Sequence, residues 1–164
     1  MKSWFQKHSI AISLIPVIGV MVMIYCFSAQ TGDQSGAMSG KVTRWIAELL
    51  IQNFESLPEA EQMLLCNRLG LVIRKLAHFS EYALLGFFLM LHIRQILKKV
   101  SFHFPPIWGW GVGTLYAISD ELHQGFVGGR HPAWTDVLID SSGVLAGILL
   151  CLLLYMLYQR AQKK

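Results

Sequence analysis

The chain has 164 residues, 54% of them hydrophobic and 15% charged, a composition that fits one small integral membrane domain and leaves no room for a second. Its net charge of +4 comes from basic residues clustered apart from the acidic ones, so it reads as a topology signal and argues against nucleic-acid binding.

Residues 10–27 form an uninterrupted apolar run preceded by Lys2 and Lys7, and a first span is expected at about 9–29. A secretory signal would share the basic start and the small Ser28-Ala29. The stretch is long for such a signal, however, and Phe27 fits poorly three residues before a cut after Ala29. Tyr25 before Cys26 also fails the small residue of a lipoprotein signal, so the segment is expected to stay as an anchor.

The long segment that follows has helical character. Val42, Trp45, Ile46, Leu49, Leu50 and Phe54 recur at helical spacing, with Lys41, Arg44, Glu48 and Gln52 elsewhere, which describes an amphipathic helix. Ser56 followed by Glu59 is a capping-box pattern that would open a second helix, and Gly70 would kink or end it before the next span. Whether these helices cover the bundle or lie against lipid is open at this level.

Further spans are expected at about 71–97, 105–124 and 133–158, giving an all-α integral membrane protein: a four-helix transmembrane bundle with one or two amphipathic helices in the outer loop between spans one and two. Lys2 and Lys7, then Arg94, Lys98 and Lys99, then Arg160, Lys163 and Lys164 occupy three segments free of Asp and Glu. The positive-inside rule makes that face cytoplasmic, with both termini on it. Trp4, Trp108, Trp110 and Trp134 read as interfacial anchors or packing residues, and His8 and His92 as interfacial. Cys26, Cys66 and Cys151 neither pair evenly nor show metal spacing and are read as packing residues.

Against this apolar background the ionisable residues stand out, because charge at membrane depth is costly and marks function. On the second span Arg74, His78, Glu81 and Leu85 fall in one stripe, with Lys75 and Tyr82 beside it. Asp120 and Gln124 share a face at the end of the third, with Glu121 and His123 flanking. After a turn carrying Gly128, Gly129 and Arg130, the residues Asp136, Asp140, Gly143 and Gly147 form a stripe on the fourth, where small residues permit close helix approach. All of these positions fall within about two helical turns of one membrane face, so they are expected to meet in one polar cluster.

The motifs Arg74-Lys75-x-Ala77-His78-Phe79-x-Glu81-Tyr82-Ala83-x-Leu85-Gly86, Asp120-Glu121-x-His123-Gln124-x-Phe126, Arg130 and Asp136-Val137, with Phe27-Ser28-Ala29-Gln30 after the first span, resemble those of VanZ-like membrane proteins, a family named for a teicoplanin-resistance protein. The resemblance runs from about residue 25 to 150. It departs from the family pattern at Gly128, where a Pro-Gly-Arg turn is common, at Ala133, where a small hydroxyl residue is frequent, and at Asp140, where Asn is frequent. The resemblance implies a compact four-helix bundle in the bacterial plasma membrane, a role at the cell envelope, and, for the name-giving member, reduced sensitivity to lipid-tailed glycopeptides.

Three classes of function fit these residues. A binding protein would grip the anionic head group of a membrane lipid or a lipid-linked cell-wall precursor through Arg74, Lys75 and Arg130, with Ser28, Gln30, Tyr82, Gln124, Asp136 and Asp140 as further contacts. An outer-leaflet hydrolase or transferase would use His78 or Glu81 as general base and Asp120, Glu121 or His123 as acid. A structural reading pairs the charges with one another to lock the helices together. No metal or other cofactor is expected: the His and carboxylate spacings match no zinc signature, and Arg74 and Arg130 would repel a cation. Ser28, Ser80 and Ser119 sit in no nucleophile-elbow pattern.

Overall fold

The computed structural model describes residues 8–97 and 105–163. Lys2, Trp4, Lys7, Lys98, Lys99 and Lys164, on which part of the orientation and anchor reading rests, lie outside the described residues. The regular structure described is all helical: α1 (Ser9–Ser28), α2 (Gly32–Leu50), one 3-10 turn (Phe54–Ser56), α3 (Glu59–Leu97), α4 (Pro105–Gln124) and α5 (Trp134–Ala161). Three helices, α1, α3 and α5, are long and apolar enough to cross a membrane. The expected span at 105–124 is not among them, because Gly109, Gly111 and Gly113 and the polar last turn Asp120-Glu121 dilute the apolarity of α4.

The connection from α1 to α3 differs from expectation in three ways. The capping box that forms is at Thr31, whose hydroxyl accepts the Gln34 amide at 3.3 Å while the Gln34 side chain accepts the Thr31 amide at 3.1 Å. The helix therefore starts ten residues before Val42, and Phe54 falls outside it, in the 3-10 turn. Ser56 caps nothing: its hydroxyl donates back to the Asn53 carbonyl at 2.7 Å, and Asn53, at φ 56°, reverses the chain in a left-handed conformation that Asn tolerates. Finally, there is no separate second helix. α3 runs unbroken through Gly70, since one glycine costs a helix only about 1 kcal/mol and here the missing side chain faces Thr43 of α2.

α2 packs by its small residues. Thr43 and Ala47 are 1% and 0% exposed, whereas Val42, Trp45, Leu49 and Leu50 face outward, Trp45 at 64%. Small residues let α2 lie close along α3, while Trp45, Leu49 and Leu50 stay exposed.

The core sits between α3 and α5, the most extensive helix pair. Gly143 and Gly147 of α5 lie against the backbone at Phe79 and Ala83, and Gly86 of α3 lies against the backbone at Val144. A Cβ at any of the three would meet main chain, which cannot turn aside. Tyr82, Leu85, Leu89, Val144 and Ile148 fill this seam, and Val17, Val20 and Ile24 of α1 close it. Side-chain bonds tie in the remaining faces: Ser13 to His92 at 2.9 Å, Tyr116 hydroxyl to the Met21 carbonyl at 2.7 Å, and Trp110 Nε1 to the Ser141 carbonyl at 3.1 Å. The three cysteines are free thiols.

Candidate functional site

The ends of α1 and α4 meet in a polar clasp. Asp120 and Gln124, one turn apart, face Ser28 in the last turn of α1: the Ser28 hydroxyl donates to Asp120 Oδ2 at 2.7 Å, and Gln124 Nε2 donates to the same oxygen at 3.1 Å and to Ser28 Oγ at 3.2 Å. Arg130, from the α4–α5 turn, reaches back over this group. Its Nη1 donates to Gln124 Oε1 at 2.9 Å, Nε to the Gln30 carbonyl at 2.9 Å and Nη2 to the Phe27 carbonyl at 3.0 Å. A helix C-terminus presents unsatisfied carbonyls and partial negative charge, so a guanidinium there satisfies both needs. Burial, and after it the nearby Arg74, pulls Arg130 below its usual pKa. The turn depends on Gly129, at φ 75° and packed on Gly32, while Gly128 contributes only a carbonyl to the Gly32 amide at 3.1 Å.

Deeper in the bundle Asp140 is 0% exposed, with His78 Nδ1 3.6 Å from its Oδ1. Both Asp140 oxygens, His78 Nδ1 and the Tyr82 hydroxyl are buried without a hydrogen-bond partner among the described residues. Glu121 is buried beside the start of α5, where its Oε1 accepts the Ala133 amide at 2.6 Å. Ala133 itself offers no capping oxygen, and Asp136 in the first turn supplies the negative charge that a helix N-terminus favours.

An open cleft of about 220 Å³ lies between the end of α1, α2 and α3. Ser28, Gln30, Arg74, His78, Glu81 and Arg130 are its polar lining residues, and Phe27, Met38, Val42, Ile73 and Ala77 its apolar ones. Arg74 is exposed and makes no hydrogen bond or ion pair among the described residues. It also borders a recess on the other flank of α3, of about 110 Å³, with Lys75, His78 and Asp136.

The expected cluster residues are linked by shared contacts: Ser28 of the cleft bonds Asp120 and Gln124, Arg130 bonds Gln124, Arg74 and His78 line both the cleft and the recess that holds Lys75 and Asp136, Asp140 approaches His78, and Glu121 holds the Ala133 amide. His123 does not line the cleft; its ring lies tilted against that of Tyr25, 4.8 Å between centroids. The charges do not lock the helices by direct pairing, because within the site only His78 and Asp140 approach to 4.0 Å or less among the described residues. Nor, among the described residues, do three or more His, Cys, Asp or Glu side chains converge as metal ligands would. The contribution of α2 through Ser35, Met38, Ser39 and Val42 was not anticipated, although the Thr31-x-x-Gln34 pattern marks a helix starting at the rim.

No curated protein and no protein of solved structure matches the chain. The family described as VanZ/LLP1 matches over residues 13–155, nearly the whole length, and the chain belongs to the VanZ/LLP1 family of membrane proteins.

Proposed function

We propose that the cleft binds the anionic head group of a membrane lipid or lipid-linked cell-wall precursor at the outer face of the bacterial plasma membrane, with α4 as a fourth span and both termini cytoplasmic. The observation that carries this reading is the unpaired Arg74 lining a cleft that combines polar and apolar residues. A head group with a tail needs both kinds of residue together, and a guanidinium offers paired donors to a phosphate or carboxylate. In the family's context the reading extends to glycopeptides. Overproducing the protein should alter sensitivity to a lipid-tailed glycopeptide more than to a tail-free one, since each buried methylene adds about 0.8 kcal/mol of anchoring. Arg74→Ala should abolish the change while the protein stays abundant in the membrane. Equal protection against both drugs, or full protection by Arg74→Ala, would count against the head-group reading.

The His78–Asp140 pair supports a second reading, acid–base catalysis on the same ligand. His78 faces the cleft with a buried carboxylate behind it, and Glu81 lines the cleft about one turn further along α3. His78→Gln should then stop turnover of a bound lipid without releasing it; loss of binding instead would leave His78 a ligand contact.

A further inference from the structure

At the opposite end of the bundle α3 and α5 enclose a second cleft of about 260 Å³, remote from the carboxylates. Arg94, Tyr155 and Tyr158 line its outer part, while Phe87 and Leu91 lie one to two turns nearer the middle of the bundle. The Arg94 guanidinium carbon sits 3.2 Å from the centroid of the Tyr155 ring, a cation–π contact that fixes its direction. Gln159 donates to the Tyr155 hydroxyl at 2.8 Å, and Gln162 donates to that of Tyr158 at 3.2 Å. A phenol oxygen that accepts an amide proton still has its own O–H to give. The cleft therefore presents two phenolic donors beside a guanidinium.

Among the described residues no Asp or Glu side chain reaches this group. Residues 86–119 and 141–164 contain no Asp or Glu. Glu81 on α3 and Asp140 on α5 are each roughly 20 Å away along their helices, at about 1.5 Å per residue. A cation flanked by donors, with no acidic side chain beside it among the described residues, at the end of helices apolar enough to cross a membrane, lies where phospholipid head groups lie.

We propose that this cleft binds the phosphate of an anionic glycerophospholipid, with an acyl chain continuing along Phe87 and Leu91. That apolar extension favours a lipid over free phosphate as the source of the anion. The test uses the full-length protein carrying Arg74→Ala, so that the first cleft does not contribute, purified in detergent and offered phosphatidylglycerol and phosphatidylcholine with identical acyl chains. Native mass spectrometry counts the bound lipid. Phosphatidylglycerol should be preferred by roughly tenfold, the scale of one charge-assisted bond, because the choline cation opposes Arg94. Adding Arg94→Gln should remove the preference, and adding Tyr155→Phe with Tyr158→Phe, which keeps both rings, should reduce it. Inorganic phosphate at the lipid's concentration should not displace the lipid. Equal binding of the two lipids, an undiminished preference in the Arg94→Gln protein, or displacement by inorganic phosphate would each overturn the proposal. If the Arg94→Gln protein does not accumulate, the double tyrosine variant decides: an undiminished preference there overturns the proposal as well.

Discussion

Arg74 and Arg130 bring the same charge to one cleft, but their surroundings give them different work. Arg130 has three of its donors engaged by Phe27, Gln30 and Gln124, so it staples the α4–α5 turn to the end of α1. Arg130→Ala should lower stability by about 2–4 kcal/mol, read as a fall in melting temperature in detergent, because three acceptors, two of them partly buried, lose a charged donor. Arg74→Ala should leave the melting temperature unchanged. Equal melting of both variants would mean that the Arg130 bonds contribute nothing. Asp140 makes a third case: a carboxylate with no exposure and no hydrogen bond gains little from its charge. Asp140→Asn, the residue frequent at this place in the family, should hold or raise the melting temperature; a fall of several degrees would show that the interaction with His78 stabilises the fold.

Among the elements, the α3–α5 seam and α2 behave oppositely. The seam is closed by glycines whose hydrogen faces the neighbouring backbone, so Gly147→Leu should cost about 3 kcal/mol or more and prevent accumulation of folded protein. α2 presents Val42, Trp45 and Leu49 outward, and its substitution should be tolerated by the fold. In a variant with Trp45 as the sole tryptophan, brominated lipid should quench its fluorescence, since an amphipathic apolar face at the interface reaches the acyl boundary. No quenching would place that face in water or against another protein.

At the level of the whole molecule, the 39 residues of α3 extend roughly 58 Å, nearly twice the hydrocarbon thickness of a bilayer. Its first part, beside α2, therefore projects past the other spans or tilts strongly. If the termini are cytoplasmic, as proposed, Cys66 in that part should react with an impermeant thiol reagent added outside cells. Cys26 is exposed and must first be replaced by serine. Cys151 is buried, so its silence would say nothing about sides; a cysteine introduced at Lys163 reports instead. Labelling of the Lys163→Cys protein from outside would invert the topology.

Much of this was legible in the chain itself. Apolar runs of span length can satisfy their backbone in lipid as helices, and the 3.6-residue period puts Arg74, His78 and Glu81 on one face whatever surrounds them. Glycines at 143 and 147 announce a close helix approach. Periodicity tells which side chains share a face, but not what that face meets. For α2 the ambiguity is physical: beside a membrane, large apolar residues are stable toward lipid as well as toward a core, and packing by Thr43 and Ala47 sent them outward. For Arg130 two of the three partners are main-chain carbonyls 100 and 103 residues earlier, invisible to any pattern of side chains. For His123 it is the ring of Tyr25, brought alongside only once α1 and α4 have packed. Sequence determined the helices and the polar stripes on them; tertiary packing decided which polar groups serve the fold and left Arg74 open, because only packing sets which groups come within bonding distance.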